Sequence, residues 1–482
     1  MMASPCPDDF DEMRGASTSS PCAVWVGRAM PPSFPQVTVS SPTNIAVIKY
    51  WGKRDGKLNL PINSSVSVTI DQADLCTTTT VTASASYLRD RLWLNGQEED
   101  VEGNKRVQRV LREVRARAGE LRDHSGAVLV RRDEWAGMRV QVVSKNNFPT
   151  AAGLASSAAG YAALAFALAQ LHGVEERYPG ELSTLARIGS GSACRSLHGG
   201  FVAWDMGSKA DGSDSTARLV GPASHWPELK VLILVVSDSK KAVSSTAGMQ
   251  TSVETSPLLA HRAAAVVPGR MVEMEAAYHA RDFASFATLA MQDSNQFHAT
   301  CLDTLPPIFY LTDASRAVIQ LCHAFNEASG SVRVGYTFDA GPNAVLLTTA
   351  EFMPQVLAAV LRFFPPSLAN SAGFVNKAEL REAARRAELP PGLADKFKLT
   401  VPNAIKYVYA TGIGPGATRL ADSASIATPE GEPIELAPET HAAWLMRYPK
   451  LVAALGVASA GFGVAAIASV GVGVARALRS AK

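Results

Sequence analysis

The stretch Asn146-Asn147-Phe148-Pro149-Thr150-Ala151-Ala152-Gly153-Leu154-Ala155-Ser156-Ser157-Ala158-Ala159-Gly160 constrains this chain most. A loop of small residues runs straight into an alanine-rich apolar helix through Leu168. Gly153 allows close backbone approach, and Ser156 and Ser157 present hydroxyls and free N–H groups where the helix dipole is positive. Phosphate is the natural guest, with a plain Ser156 helix cap as the competing reading. No Gly-Lys-Ser/Thr follows, so the loop is not of the Walker type.

The 482 residues and 47% hydrophobic content allow two domains and an appendage. Lys plus Arg number 46 against 44 Asp plus Glu, so no global basic field argues for nucleic acid. Six cysteines lie scattered without metal-type spacing, which fits reduced thiols in a cytosolic protein and gives no metal-ligand set. Residues 1–36 are rich in Ser, Pro and Ala and read as a disordered leader; their early acids Asp8, Asp9, Asp11 and Glu12 do not suit a secretory signal.

From Val37 an alternating pattern leads into Asn44-Ile45-Ala46-Val47-Ile48-Lys49-Tyr50-Trp51-Gly52-Lys53-Arg54-Asp55, an apolar strand delivering two lysines and two aromatics to a turn. Asp90 to Gly96 reads as a strand entering a hairpin. Val107, Val110, Leu111 and Val114 keep helical spacing, which leaves Arg106, Arg109, Arg112 and Arg117 on a solvated basic face. Ile188 to Gly200 alternates Gly and Ser around Arg195, whose planar fork suits a carboxylate. Val231 to Val236 reads as a fully buried strand leading to Ser237-Asp238-Ser239-Lys240-Lys241 and Ser244-Ser245-Thr246-Ala247-Gly248-Met249. Asp313 to Ser329 reads as a helix closed by Gly330, and a later strand places Asp339 on the turn Ala340-Gly341-Pro342-Asn343.

Pro149-x-x-x-Gly153-Leu154-x-Ser156-Ser157-Ala158 resembles the phosphate loop of the GHMP kinase superfamily. The strings from Asn44 to Asp55, Gly189 to Ser196, Ser239 to Met249 and Thr337 to Asn343 are similar to those of the diphosphomevalonate decarboxylase family within it, a resemblance spanning about residues 37–425. It implies an α+β, two-domain GHMP-kinase fold with the active site in the interdomain cleft. The expected parts are an N-terminal domain at 37–225, a C-terminal domain at 226–425, a linker at 426–450 and an apolar tail at 451–475. It also implies ATP-dependent decarboxylation of (R)-5-diphosphomevalonate to isopentenyl diphosphate, with ATP and Mg2+, by a cytoplasmic homodimer.

Residue by residue, the resemblance assigns catalysis to Asp339, Lys49 and Arg195. Asp339 would orient or deprotonate the 3-hydroxyl, and Arg195 would hold the carboxylate. Substrate contacts fall on Asn44, Tyr50, Trp51, Gly52, Lys53, Arg91, Ser190, Gly191, Ser192, Ala193, Cys194, Ser245 and Thr246, and the ATP phosphates on Gly153, Leu154, Ala155, Ser156 and Ser157. Cys194 reads as a packed thiol rather than a nucleophile. Asn295 and His298 read as structural, and His198 receives no role. Leu451 to Ala475 is uncharged with basic flanks and could cross a hydrocarbon core, a candidate tail anchor that the five glycines between 456 and 473 weaken. The competing functions are a GHMP kinase that stops at phosphoryl transfer and a membrane-tethered, non-catalytic binding protein.

Overall fold

Alternation of Val, Ser and Thr builds the first sheet. Gln36–Pro42 pairs antiparallel with Cys76–Ser84, from Gln36 opposite Thr82 to Pro42 opposite Cys76. Cys76–Ser84 pairs in turn with Arg139–Asn146, which carries Arg91–Leu94 in parallel and then the hairpin partner Gln97–Glu99. Asn95 and Gly96, with φ of 51° and 79°, make the tight turn of that hairpin. The computed structural model describes residues 34–123, 125–148, 156–237, 242–367 and 373–434. Gly153, Leu154, Ala155, Lys240, Lys241, the leader to residue 33 and the run 451–475 fall outside these. Among the described residues, no helix is long and apolar enough to cross a membrane.

One helix packs on a face of this sheet, and two more pack against that helix. Asn104 caps α1 (Lys105–Arg115) by accepting from the Arg106 and Val107 N–H groups, and the helix buries Val107, Val110, Leu111 and Val114. α2 (Ser156–Leu171) has no polar face: Ala158, Ala162, Ala165 and Leu168 are all buried among α1, the sheet and α3 (Glu181–Gly189). Its small side chains let the neighbours approach closely. On the α3 side Gly189 does the same, since a Cβ there would lie 2.3 Å from the Tyr161 ring of α2.

A second sheet of this domain orders Ala217–Gly221, Phe201–Trp204, Ser65–Thr69 and Asn44–Ile48, all antiparallel. The C-terminal domain has its own sheet in the order Val334–Phe338, Ala344–Thr349, Leu229–Val235 and Tyr407–Gly412. Leu229–Val235 is buried on both faces, which is why it reads as an unbroken apolar run. Leu232 and Leu234 face a core with α8 (Asp313–Ser329) and α9 (Met353–Phe363), whereas Val231, Ile233 and Val235 face the N-terminal domain. There they join Ile45, Val47, Val66 and Val68 under α6 (Val267–Ala280) and α7 (Phe283–Asp303). Ahead of α6 come α4 (Ser245–Thr255) and α5 (Pro257–His261). One apolar core thus spans both domains.

After the sheet of the C-terminal domain the chain returns to the first. Thr418–Arg419 returns to pair with Ser40 and Val39, the Ile426 N–H donates to Thr80 Oγ1 at 3.1 Å, and the Tyr87 hydroxyl donates to the Glu430 carbonyl at 2.9 Å. The last described residues therefore complete the N-terminal sheet rather than close the C-terminal domain, and the Leu420 N–H extends the pairing by donating to the Thr38 carbonyl at 2.8 Å.

Candidate active site

The strand Asn44–Ile48 ends under the second domain, and its next residue points across the boundary. Lys49 is buried, and its Nζ lies 2.7 Å from Asp339 Oδ1, whose side chain remains 44% exposed. Asp339 follows the strand Val334–Phe338 on a turn fixed by the Gly341 N–H donating to its carbonyl at 2.7 Å. Asn343 ties that turn to the loop beyond Leu229–Val235: its Oδ1 accepts from the Val236 and Ser237 N–H groups at 2.8 and 3.0 Å. A carboxylate is thereby held at a cleft mouth with an ammonium behind it.

Arg195 lies in the short helix Gly191–Leu197 that follows α3. Its Nε donates to Ser67 Oγ at 2.9 Å and Nη1 to Ser65 Oγ at 2.6 Å, two residues on one face of a strand. Asn44 Oδ1 accepts from the same Nε at 3.3 Å, while Asn44 Nδ2 donates to the Ser192 carbonyl and Ser196 Oγ. Among the described residues, no carboxylate lies in ion-pair contact with this buried guanidinium, which neutral oxygens hold. Burial lowers its pKa, and nearby Cys194, Asp339 and Tyr50 oppose that shift. An arriving carboxylate would meet a positive charge that no carboxylate among the described residues contacts.

Tyr50 lies beside this loop, edge-on to Trp204, with its hydroxyl against Gly191, where an added Cβ would lie 3.0 Å away. Among the described residues that buried hydroxyl has no hydrogen-bond partner, and burial, then Cys194, raises its pKa. Such an orphaned donor suits an anion. Lys53 Nζ donates to Asn59 Oδ1 at 2.7 Å, and burial, then Arg106 and Arg109, pulls its pKa down to about 8. Ser190 Oγ lies 3.0 Å from Ser157 Oγ, which joins the Gly-Ser loop to the start of α2.

Several residues of the expected set lie elsewhere. Arg91 turns away: its guanidinium pairs with Glu98 and Glu432 and stacks on Trp93, because the neighbouring strand Gln97–Glu99 and the returning C-terminal segment present those carboxylates to it. Trp51 is buried in the C-terminal domain, donating to Ser252 Oγ at 2.9 Å with its ring edge-on to Phe297 and Tyr310. Gly52 makes the bend that this packing requires, at φ 91°, with Ile62 2.6 Å from a would-be Cβ. The Ala193 and Cys194 side chains point into the core, and burial lifts the Cys194 thiol to about 12. Ser245 and Thr246 open α4 after the cap Ser244.

Arg106, read as part of a solvated face, instead belongs to the site. It donates to the Gly189 carbonyl at 2.6 Å and to Ser157 Oγ at 3.3 Å, and lies over the Tyr161 ring. It edges a cavity of about 230 Å3 lined by Leu92, Val142 and Leu164 together with Ser144, Asn146, Ser156 and Ser157. An apolar slot ending in hydroxyls, a helix N-terminus and an arginine fits a nucleotide base leading to phosphates. Among the described residues no three His, Cys, Asp or Glu side chains cluster as a metal site. Mg2+ needs few protein ligands when phosphates and water complete its shell, so these residues suit a cation carried in with a nucleotide.

The fold and this cleft define a two-domain protein of the GHMP kinase class, with a phosphate-type helix N-terminus on one side and a lysine–aspartate pair on the other. The models of the diphosphomevalonate decarboxylase-like N-terminal domain and of the mevalonate 5-diphosphate decarboxylase C-terminal domain match residues 41–217 and 231–420. The chain belongs to the diphosphomevalonate decarboxylase family. It is 54% identical over 399 residues to the diphosphomevalonate decarboxylase of Homo sapiens, covering 82% of this chain and 97% of the human protein. The solved mevalonate diphosphate decarboxylase from Trypanosoma brucei superposes with a TM-score of 0.74 at 39% identity, over 82% of this chain and all of that one. A second solved structure, MDDEF in complex with MVAPP, AMPPCP and magnesium, gives a TM-score of 0.61 at 30% identity, over 80% of this chain and 99% of that one.

Proposed function

We propose that this chain catalyses ATP-dependent decarboxylation of (R)-5-diphosphomevalonate to isopentenyl diphosphate, releasing ADP, phosphate and CO2. The observation that carries the reading is the 2.7 Å Lys49–Asp339 pair across the domain boundary, with its carboxylate open to the cleft. Asp339 accepts the proton of the tertiary hydroxyl, or orients it, as the γ-phosphoryl group of ATP is transferred to that oxygen. The C–O bond to the new phosphate then breaks. Electrons from the carboxyl C–C bond form the double bond, and CO2 leaves.

Lys49 holds the Asp339 carboxyl group in place at 2.7 Å and faces the developing charge. Arg195 clamps the substrate carboxylate, and its neutral supports leave that charge available. Tyr50, Lys53 and the Ser190 to Ser192 segment receive the diphosphate, with Ser245 and Thr246 at the start of α4. Ser156, Ser157 and Arg106 receive the ATP phosphates, which bring Mg2+ with them, and the slot beside Leu92 takes the adenine.

The test is to supply the full chain with ATP, Mg2+ and diphosphomevalonate and to count ADP and CO2 together. Equal yields are expected, with kcat falling roughly 10²- to 10⁴-fold in Asp339→Asn. ADP without CO2 would instead make the chain a kinase. The same proposal includes a cytoplasmic homodimer, tested by light scattering, and a membrane contact through residues 451–475. Carbonate extraction that leaves all the protein in the supernatant rejects that contact.

A further inference from the structure

Asp293, on α7, is buried with no exposed surface, and so is its partner Arg262. Arg262 opens the π-helical turn Arg262–Val266 between α5 and α6 and reaches both carboxylate oxygens, Nη1 to Oδ2 at 2.8 Å and Nη2 to Oδ1 at 2.7 Å. Arg270 adds a contact to Oδ2 at 3.2 Å. A buried pair of this kind is poor evidence of a stabilising role, since an apolar pair of similar volume commonly does as well. What distinguishes this one is a further partner from the other domain. Asp293 Oδ1 also accepts the Lys49 backbone N–H at 2.7 Å, and Arg262 Nη2 donates to the Lys49 carbonyl at 3.2 Å. Asn63 Nδ2 reaches the same carbonyl at 3.0 Å. Both main-chain polar groups of Lys49 are therefore gripped, chiefly by the domain that carries Asp339.

We propose that Asp293, braced by Arg262, is a positioning residue that fixes the Lys49 backbone so that its ammonium meets Asp339. This rests on the reading of Lys49 and Asp339 given above. A strand end has no ladder partner to hold it, and a lysine stem has four rotors. Clamping the peptide on both sides of Lys49 removes the backbone share of that freedom. The clamp also ties the Lys49 peptide to α7, in the domain that carries Asp339.

The experiment is a double-mutant cycle on the full chain, following kcat, KM for diphosphomevalonate and melting temperature. Asp293→Asn is expected to lower kcat roughly ten- to a hundredfold with KM nearly unchanged, as a misplacement near 1 Å does. In the Lys49→Met background the same change should cost less than about threefold, because the group it positions is gone. A full loss in both backgrounds, or an unchanged kcat in folded Asp293→Asn, overturns the proposal. If Lys49→Met alone retains full turnover, the Lys49 reading fails and takes this one with it. Should Asp293→Asn not fold, Arg262→Lys takes its place in the cycle with the same expected and overturning results, since it keeps the charge but not the fork that reaches both Asp293 and Lys49.

Discussion

Burial, with Arg106 and Arg109 nearby, draws the Lys53 ammonium down to about 8, so this lysine sheds its proton within an ordinary assay range. A diphosphate binds the charged form. The value of kcat/KM for diphosphomevalonate should therefore fall as pH rises through 8, and in Arg109→Ala the limb should move to higher pH, since one of the charges opposing the proton is gone. Arg106→Ala should raise KM for ATP roughly tenfold, about 1.4 kcal/mol, through loss of a charged contact at the phosphates. Arg91→Ala should leave both KM values within about twofold, as an exposed ion pair allows. Steady-state kinetics with each substrate varied decides both. Motif strings singled out Lys49, Arg195 and Asp339, and the fold brings the first and last of these into contact, whereas helical period misplaced Arg106. Period reports the direction of a Cβ, not the path of a long stem, and this stem folds back along Tyr161.

At the scale of elements, the helices put two histidines where they cannot easily charge. Burial lowers His172, at the end of α2, to about 4, and burial and then Lys49 lower His298, on α7, to about 3. An unfolded histidine titrates near 6.5, so the unfolded chain takes up protons first as pH falls and stability drops from about 6.5 downward. At pH 5 each contributes a loss of about 2 kcal/mol, which urea denaturation at pH 7 and pH 5 would register as a lower midpoint. His172→Gln should lessen that difference. Elements with a strong period were legible from the sequence: α1 buries the four residues its spacing marks, and α8 ends at Gly330 in the left-handed region. The cavity beside α2 was not legible, because its walls come from α1, α2 and four separate strands.

For the whole molecule, the domains are joined by more than their common core. The Trp51 N–H to Ser252, the Arg218 pair with Glu275 and the Lys377 pair with Asp74 all cross between them. Trp51→Phe keeps most of the ring packing and loses the buried donor, so it should cost about 1 kcal/mol and lower the melting temperature by a few degrees in calorimetry. Sequence reading expected the strip after residue 412 to finish the second domain, and nothing local contradicts that. A two-residue strand has no period, and its pairing with residues 39 and 40 depends on a geometry that exists only in the folded state. That pairing bears on synthesis. On the ribosome the first sheet emerges early, but its outermost strand appears only after the entire second domain has been made. The nascent chain therefore carries an open sheet edge until the second domain has been made, and the first sheet is completed only after it.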